Sequence, residues 1–164
     1  MPVKHYNIIV KHGKDILESD GMKTERACIQ HGTYSVFDHS LAVTSMCIRI
    51  SRKLHIKVHE REMVRGALLH DFFLYDWHER SLANSIHGFT HPGIALRNAE
   101  KVFKLTKIEK NMIRRHMFPL TPIPPKYRES MILCLADKMC ATKETVNGFK
   151  RKISKKIRRI YKNA

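Results

Sequence analysis

The stretch MVRGALLHDFF, residues 63–73, places two polar residues, His70 and Asp71, inside a segment that otherwise favours burial. On the helix predicted over residues 60–73, His70 falls on the stripe of Met63 and Ala67, and Asp71 falls on the neighbouring apolar stripe. Both side chains are therefore expected to point inward. A buried carboxylate costs several kcal/mol unless it is paired, hydrogen-bonded or bound to a metal. The segment thus predicts a cation beside Asp71.

A second inward histidine is predicted on the helix over residues 37–54. Its apolar stripe includes Val43, and His39 lies one turn earlier on the same face. Either Ser35 or Asp38 is suited to begin this helix.

Three further helices bring polar groups to apolar faces. His91 stands at the entrance of one helix, because the proline that follows it suits a first turn. A helix over roughly residues 106–115 aligns His116 with its apolar face, and a helix from about residue 126 to 145 does the same for Asp137. With no internal repeat and no alternating strand, the predicted fold class is all-α, a compact multi-helix bundle.

The inward polar residues are more informative together than singly. A lone buried histidine is more often a hydrogen-bonded core residue than a ligand. Inward carboxylates such as Asp71 and Asp137, however, rarely go unpaired. Nitrogen and oxygen donors converging from separate helices therefore favour a metal site over separate core contacts.

The order His39, then His70-Asp71, then Asp137 resembles the H…HD…D signature of the HD-domain metal-dependent phosphohydrolase superfamily, an all-α fold. The likeness spans residues 31–144. His91 and His116 lie where subfamilies with two metals have extra histidines. The resemblance implies one ion on the four signature residues and a second on the two extra histidines, with Asp71 bridging.

The ligand types set the expected chemistry. Imidazole and carboxylate without thiolate suit Fe, Mn, Co, Ni or Mg. One or two such ions would activate a water for attack on a phosphate ester or anhydride, with a nucleotide among the candidate substrates. The catalytic candidates are Asp71, Lys138 and Asp76, where Asp76 would protonate a leaving group. The candidate phosphate-binding cations are Lys138, Arg128 and Arg80.

Two alternatives remain open from the sequence. Some relatives of this fold resemble mixed-valent di-iron oxygenases, which use the same six ligands. The other alternative is an adaptor for nucleic acid or a membrane, in which the metal is structural and a basic tail binds the partner. No P-loop, GxGxxG or GxSxG motif is present, so a glycine-rich phosphate cradle is not supported.

Charge and cysteine content bound the remaining expectations. The 164 residues carry a formal net charge of +16, which would attract anionic substrates. Residues 1–148 are predicted to form one helical domain, and residues 149–164 a basic amphipathic helix that docks on the core or meets an anionic membrane or nucleic acid. Four cysteines without CxxC spacing, and the lack of a signal peptide or membrane span, predict a cytoplasmic protein.

Overall fold

The computed structural model describes residues 1–31, 34–74 and 87–162, and this part of the chain forms an all-α bundle with one short hairpin. The helices are α1 (Val3–Leu17), α2 (Asp20–Ala27), α3 (Val36–Lys53), α4 (Glu60–Leu68), α5 (His87–Val102), α6 (Lys107–Arg115) and α7 (Arg128–Lys162). The hairpin pairs β1 (Ile29–His31) with β2 (Tyr34–Ser35) in antiparallel fashion. The predicted all-α class is confirmed.

Helix α4 lies at the centre of the bundle and contacts α1, α3, α6 and α7. Its residues 63–68 are all buried, as expected for a helix packed on every side. A Cβ at Gly66 would lie 2.6 Å from the Sδ atom of Met112, so glycine lets α4 and α6 approach closely. The apolar stretch that leads to His70 therefore forms the middle of the core.

The starts of α3 and α6 follow from their capping residues. The Ser35 side chain accepts a hydrogen bond from the backbone N–H of Asp38 and so caps α3. Thr106 and Glu109 form a capping box at the start of α6, in which each side chain accepts from the other residue's backbone N–H. Both helices begin within one residue of their predicted starts.

The helix that leads to the His70-Asp71 pair ends earlier than expected. Helix α4 stops at Leu68, and the chain continues in turns through Phe73. Within these turns the N–H of Phe72 bonds to the carbonyl of Leu69, and Leu74 follows with a positive φ of 63°. The predicted apolar stripe is present in α4. It does not extend to His70 and Asp71, because these two residues lie in the turns that follow the helix.

The start of α5 also differs from the expectation. Helix α5 begins at His87, so His91 lies within the helix and not at its entrance, and Pro92 is inside it as well. A helix continues past a proline at the expense of one backbone hydrogen bond.

Three elements at the N-terminal side were not anticipated, namely α1, α2 and the hairpin. The hairpin strands have only three and two residues, too short for an alternating pattern to be visible. At the other end, α7 continues as one helix from Arg128 to Lys162. No helix among the described residues is long and apolar enough to cross a membrane.

Candidate metal centre

The structure brings all six predicted ligands together in the interior. Each residue is between 0 and 8% exposed. Their donor atoms form two groups, and within each group the atoms lie within 4.8 Å of one another. We call these the first group (His39, His70 and Asp137) and the second group (Asp71, His91 and His116).

The first group is assembled from three separate elements. His39 comes from the first turns of α3, Asp137 comes from α7, and His70 comes from the turn after α4. The Nε2 atom of His39 lies 3.1 Å from Asp137 Oδ1, and His70 Nε2 lies 3.8 Å from the same oxygen. The strong packing of α3 on α4 and α7 is what brings these donors within reach of each other.

The second group joins two histidines to Asp71. His91 from α5 and His116, the residue that ends α6, face each other with their Nε2 atoms 2.8 Å apart. These nitrogens lie 3.3 Å and 3.4 Å from Asp71 Oδ1. Two ring nitrogens directed at one carboxylate oxygen are typical of donors arranged around a cation.

The two oxygens of Asp71 are directed at different groups. While Oδ1 faces the second group, Oδ2 lies 3.4 Å from His70 Nε2 and 3.9 Å from His39 Nε2 in the first. A single carboxylate therefore joins the two sets of imidazoles. This is the geometry that a bridging ligand requires.

The same local hydrogen bond orients the rings of His70 and His116. His70 Nδ1 lies 2.8 Å from the carbonyl of Ala67, and His116 Nδ1 lies 2.9 Å from the carbonyl of Ile113. In each case the ring N–H donates to a carbonyl three residues earlier, one of those left open at a helix end. The tautomer that results leaves Nε2 as an electron-pair donor, the state in which imidazole ligates metals.

His70 Nε2 provides a direct indication of fit to a metal. It is buried and has no hydrogen-bond partner among the described residues. A buried polar atom without a partner costs about 1–3 kcal/mol, so such atoms in native proteins mark a missing partner. The imidazole and carboxylate donors around it suit Fe, Mn, Co, Ni or Mg.

The charges of the cluster are mutually dependent. Burial raises the pKa of Asp71, but the neighbouring His70 and the close imidazoles of His116 and His91 outweigh this and hold that pKa well below its usual range. Likewise, burial raises the pKa of Asp137, but the hydrogen bond from His39 and the nearby ring of His70 outweigh this and hold that pKa below its usual range. Two ionised carboxylates in the interior require positive charge between them.

One residue of the site, Glu144, was not predicted. It is buried on α7, and its Oε2 atom accepts a hydrogen bond from His39 Nδ1 at 2.8 Å. This contact fixes the ring so that Nε2 faces the first group, as the carboxylate partner of a metal-ligating histidine does. Glu144 follows Asp137 by seven residues, or two helical turns, so the shared face was a readable signal.

The predicted substrate-binding cations differ in their positions. The Nζ atom of Lys138 donates to the carbonyls of His116 and Cys134 at 3.2 and 3.3 Å, at the edge of the second group. Arg128 instead donates to the Lys57 carbonyl at 2.8 Å, roughly 13 Å along α7 from Asp137. The structure therefore does not bring Arg128 to the cluster. Asp76 and Arg80 lie outside the described residues.

A family model described as HD domain matches residues 36–142, well over half of the chain. This chain therefore belongs to the HD-domain superfamily of metal-dependent phosphohydrolases. All six residues of the two groups lie inside the matched region. Comparisons with curated proteins and with solved structures gave no match.

Proposed function

We propose that the chain is a phosphohydrolase that uses two divalent ions to hydrolyse a phosphate ester or anhydride. The single observation that carries the proposal is the position of Asp71, whose two oxygens face two different sets of imidazoles. The first ion would be held by His39, His70, Asp71 and Asp137, and the second by Asp71, His91 and His116.

Ions bound there would polarise the phosphoryl group and lower the pKa of an attacking water. The contribution of the chain is to hold the ligands in place before substrate arrives. The carbonyls of Ala67 and Ile113 fix the rings of His70 and His116, and Glu144 fixes that of His39. Burial excludes bulk water, which strengthens the electrostatic interactions within the site.

Lys138 is the proposed phosphate-binding cation. Its ammonium group has three donors, two of which meet backbone carbonyls at the edge of the second group. The third donor is then suited to a phosphate oxygen. Asp137 next to it has a side chain 12% exposed, against 0% for His39, so we assign the substrate approach to this edge. Asp76 remains the proposed proton donor to the leaving group.

The decisive experiment measures metal content and turnover together in anaerobically purified protein. Wild type, Asp71→Ala and His116→Ala are compared on phosphate monoesters, diesters and nucleotides. We expect two equivalents of metal and turnover in wild type, the loss of one equivalent in His116→Ala, and a much larger loss in Asp71→Ala. The matched control is Asp20→Ala, which removes a carboxylate whose side chain is 95% exposed.

Each rival function has its own signature in the same experiment. Unchanged metal content in Asp71→Ala contradicts the metal assignment itself. Metal-dependent oxygen uptake without phosphate release identifies a di-iron oxygenase on the same six ligands. Full metal content without turnover on any phosphorylated substrate favours a structural metal in an adaptor.

A further inference from the structure

We propose that Glu25 holds a water molecule of the metal centre and is a positioning residue contributed from outside the region matched by the family model. Glu25 lies on α2, whereas the match begins at residue 36. The inference rests on the proposed function, because it needs the two groups to hold ions.

The first observation is that the carboxyl group of Glu25 is buried without a hydrogen-bond partner among the described residues. Glu25 is 0% exposed, and neither of its carboxyl oxygens has a hydrogen-bond partner among the described residues. Leaving even one such atom unsatisfied costs about 1–3 kcal/mol. Two such oxygens on one side chain point to a partner that is not among the described residues, and we assign that partner to solvent.

The packing of α2 shows which residues lie near the missing partner of Glu25. A Cβ on Gly21 would lie 2.0 Å from the ring of Phe72, the residue after Asp71. Arg26 stacks over the ring of Phe37, two residues before His39, with its guanidinium carbon 3.7 Å from the ring centroid. Helix α2 therefore rests on both ligand-bearing segments.

Glu25 lies on the face of α2 that meets these segments. It follows Gly21 by four residues, and residues four apart share a helical face. Burial raises the pKa of Glu25 well above its usual value, the charge of Asp71 adds to this rise, and His39 opposes it. The carboxyl group is thus within electrostatic reach of both groups of the cluster.

A bridging water fits better than direct ligation. Glu25 belongs to neither group of donor atoms lying within 4.8 Å of one another. A water molecule can span such a gap, donating one hydrogen bond to a carboxyl oxygen while its own oxygen faces the ions. The same water would satisfy a carboxyl group that has no partner in the described part of the chain.

The test uses Mn²⁺ as the probe and full-length protein freed of metal with EDTA. Mn²⁺ dissociation constants come from the electron paramagnetic resonance signal of the free ion, and thermal unfolding is followed with and without Mn²⁺. Glu25→Leu should weaken Mn²⁺ binding by about 10–100-fold, the usual effect of losing an outer-shell partner. Glu25→Gln should bind close to wild type, because its amide oxygen still accepts a hydrogen bond from water.

The stability of the metal-free protein distinguishes a water-holding role of Glu25 from a purely structural one. Metal-free Glu25→Leu should be at least as stable as metal-free wild type, because the substitution removes an unpaired buried carboxyl group. The matched control is Glu109→Gln, since Glu109 is equally buried but serves the α6 capping box and lies 3.1 Å from Arg65 Nε. It should lower the metal-free melting temperature and leave Mn²⁺ affinity unchanged.

Three outcomes would overturn the inference, and each is distinct. Absence of Mn²⁺ binding in wild type refutes the metal centre and with it the role of Glu25. Wild-type affinity in Glu25→Leu refutes the inference while the metal centre stands. If Glu25→Leu and Glu25→Gln weaken Mn²⁺ binding equally, the carboxylate ligates the ion directly and the proposal of a bridging water is wrong.

Discussion

His39 is held between two carboxylates, with Nδ1 bonded to Glu144 and Nε2 directed at Asp137. Replacing Glu144 by Ala should weaken Mn²⁺ binding by about 10–100-fold, because the imidazole loses the partner that fixes its tautomer and orientation. Metal titration of the purified variant measures this loss. Glu144→Gln is the matched control and should recover most of the affinity, since its amide oxygen still accepts from Nδ1–H. Equal losses in both variants would show that the charge of Glu144 matters more than ring orientation.

Protonation of His39 should make the stability of the metal-free protein sensitive to alkaline pH. Burial lowers the pKa of His39, but hydrogen bonds to Asp137 and Glu144 outweigh it and raise the pKa from 6.5 to about 10. A group whose pKa is raised by folding stabilises the protein fully below its unfolded value and loses this effect as pH rises through the folded value. Metal-free protein should therefore lose stability between about pH 6.5 and about pH 10.

Denaturant unfolding of EDTA-treated protein across that range measures the effect. His39→Asn should flatten the pH dependence, because the titrating ring is gone. An unchanged profile in this variant would assign the sensitivity to other groups. In the metal-loaded protein, ions compete with the ring proton, so affinity should rise with pH.

The sequence predicted the gathering of the six donors but not the carboxylates that support them. His39 and Asp137 could be found because they lie on apolar faces of strongly periodic helices. Glu144 also lies on such a face, but a glutamate near a run of basic residues is easily taken for a solvated surface charge. Glu25 could not be found, because the segment that forms α2 has no apolar stripe long enough to define an inward face.

Among the elements, the end of α4 was hardest to predict. Periodicity indicated a helix through Phe73, yet α4 ends at Leu68 and the next five residues form turns. An apolar stretch is buried in either conformation, so the pattern cannot distinguish them. The hydrogen bond from His70 Nδ1 to the carbonyl of Ala67 lies at the helix end, and such a local side-chain contact is not visible in a hydropathy pattern.

The seating of α2 against the turn after α4 predicts that Gly21 tolerates no side chain. A Cβ there would overlap the buried ring of Phe72 at 2.0 Å. Gly21→Ala should therefore destabilise the protein by about 1–3 kcal/mol, even though alanine is the better helix former. Denaturant unfolding measures the change in free energy.

Gly88→Ala is the matched control for this substitution. Among the described residues, its Cβ would meet Leu120 Cδ2 alone, at 3.2 Å and at the end of a flexible side chain, so a far smaller change is expected. If Gly21→Ala were neutral, α2 would not rest on Phe72 in solution, and the placement of Glu25 would lose its support.

Across the whole molecule, positive charge and an apolar stripe coincide on the far part of α7. Three large apolar residues on it are about half exposed or more, namely Met139, Val146 and Phe149, at 46, 46 and 66%. The sequence beyond them contains eight basic residues and no acidic one: Lys150, Arg151, Lys152, Lys155, Lys156, Arg158, Arg159 and Lys162. Basic residues flanking an apolar stripe are typical of helices that lie on anionic membranes.

Truncation after Asn147 should separate surface binding from catalysis. The full-length chain should sediment with anionic lipid vesicles, and less so at high salt, because screening weakens attraction between exposed charges. The truncated chain should remain in solution yet turn over a small phosphorylated substrate, since all six donors and Glu144 precede the cut. Duplex DNA in place of vesicles tests the nucleic-acid alternative with the same two proteins. If truncation also abolished turnover, the basic segment would be part of the catalytic domain, because no donor of the metal centre was removed.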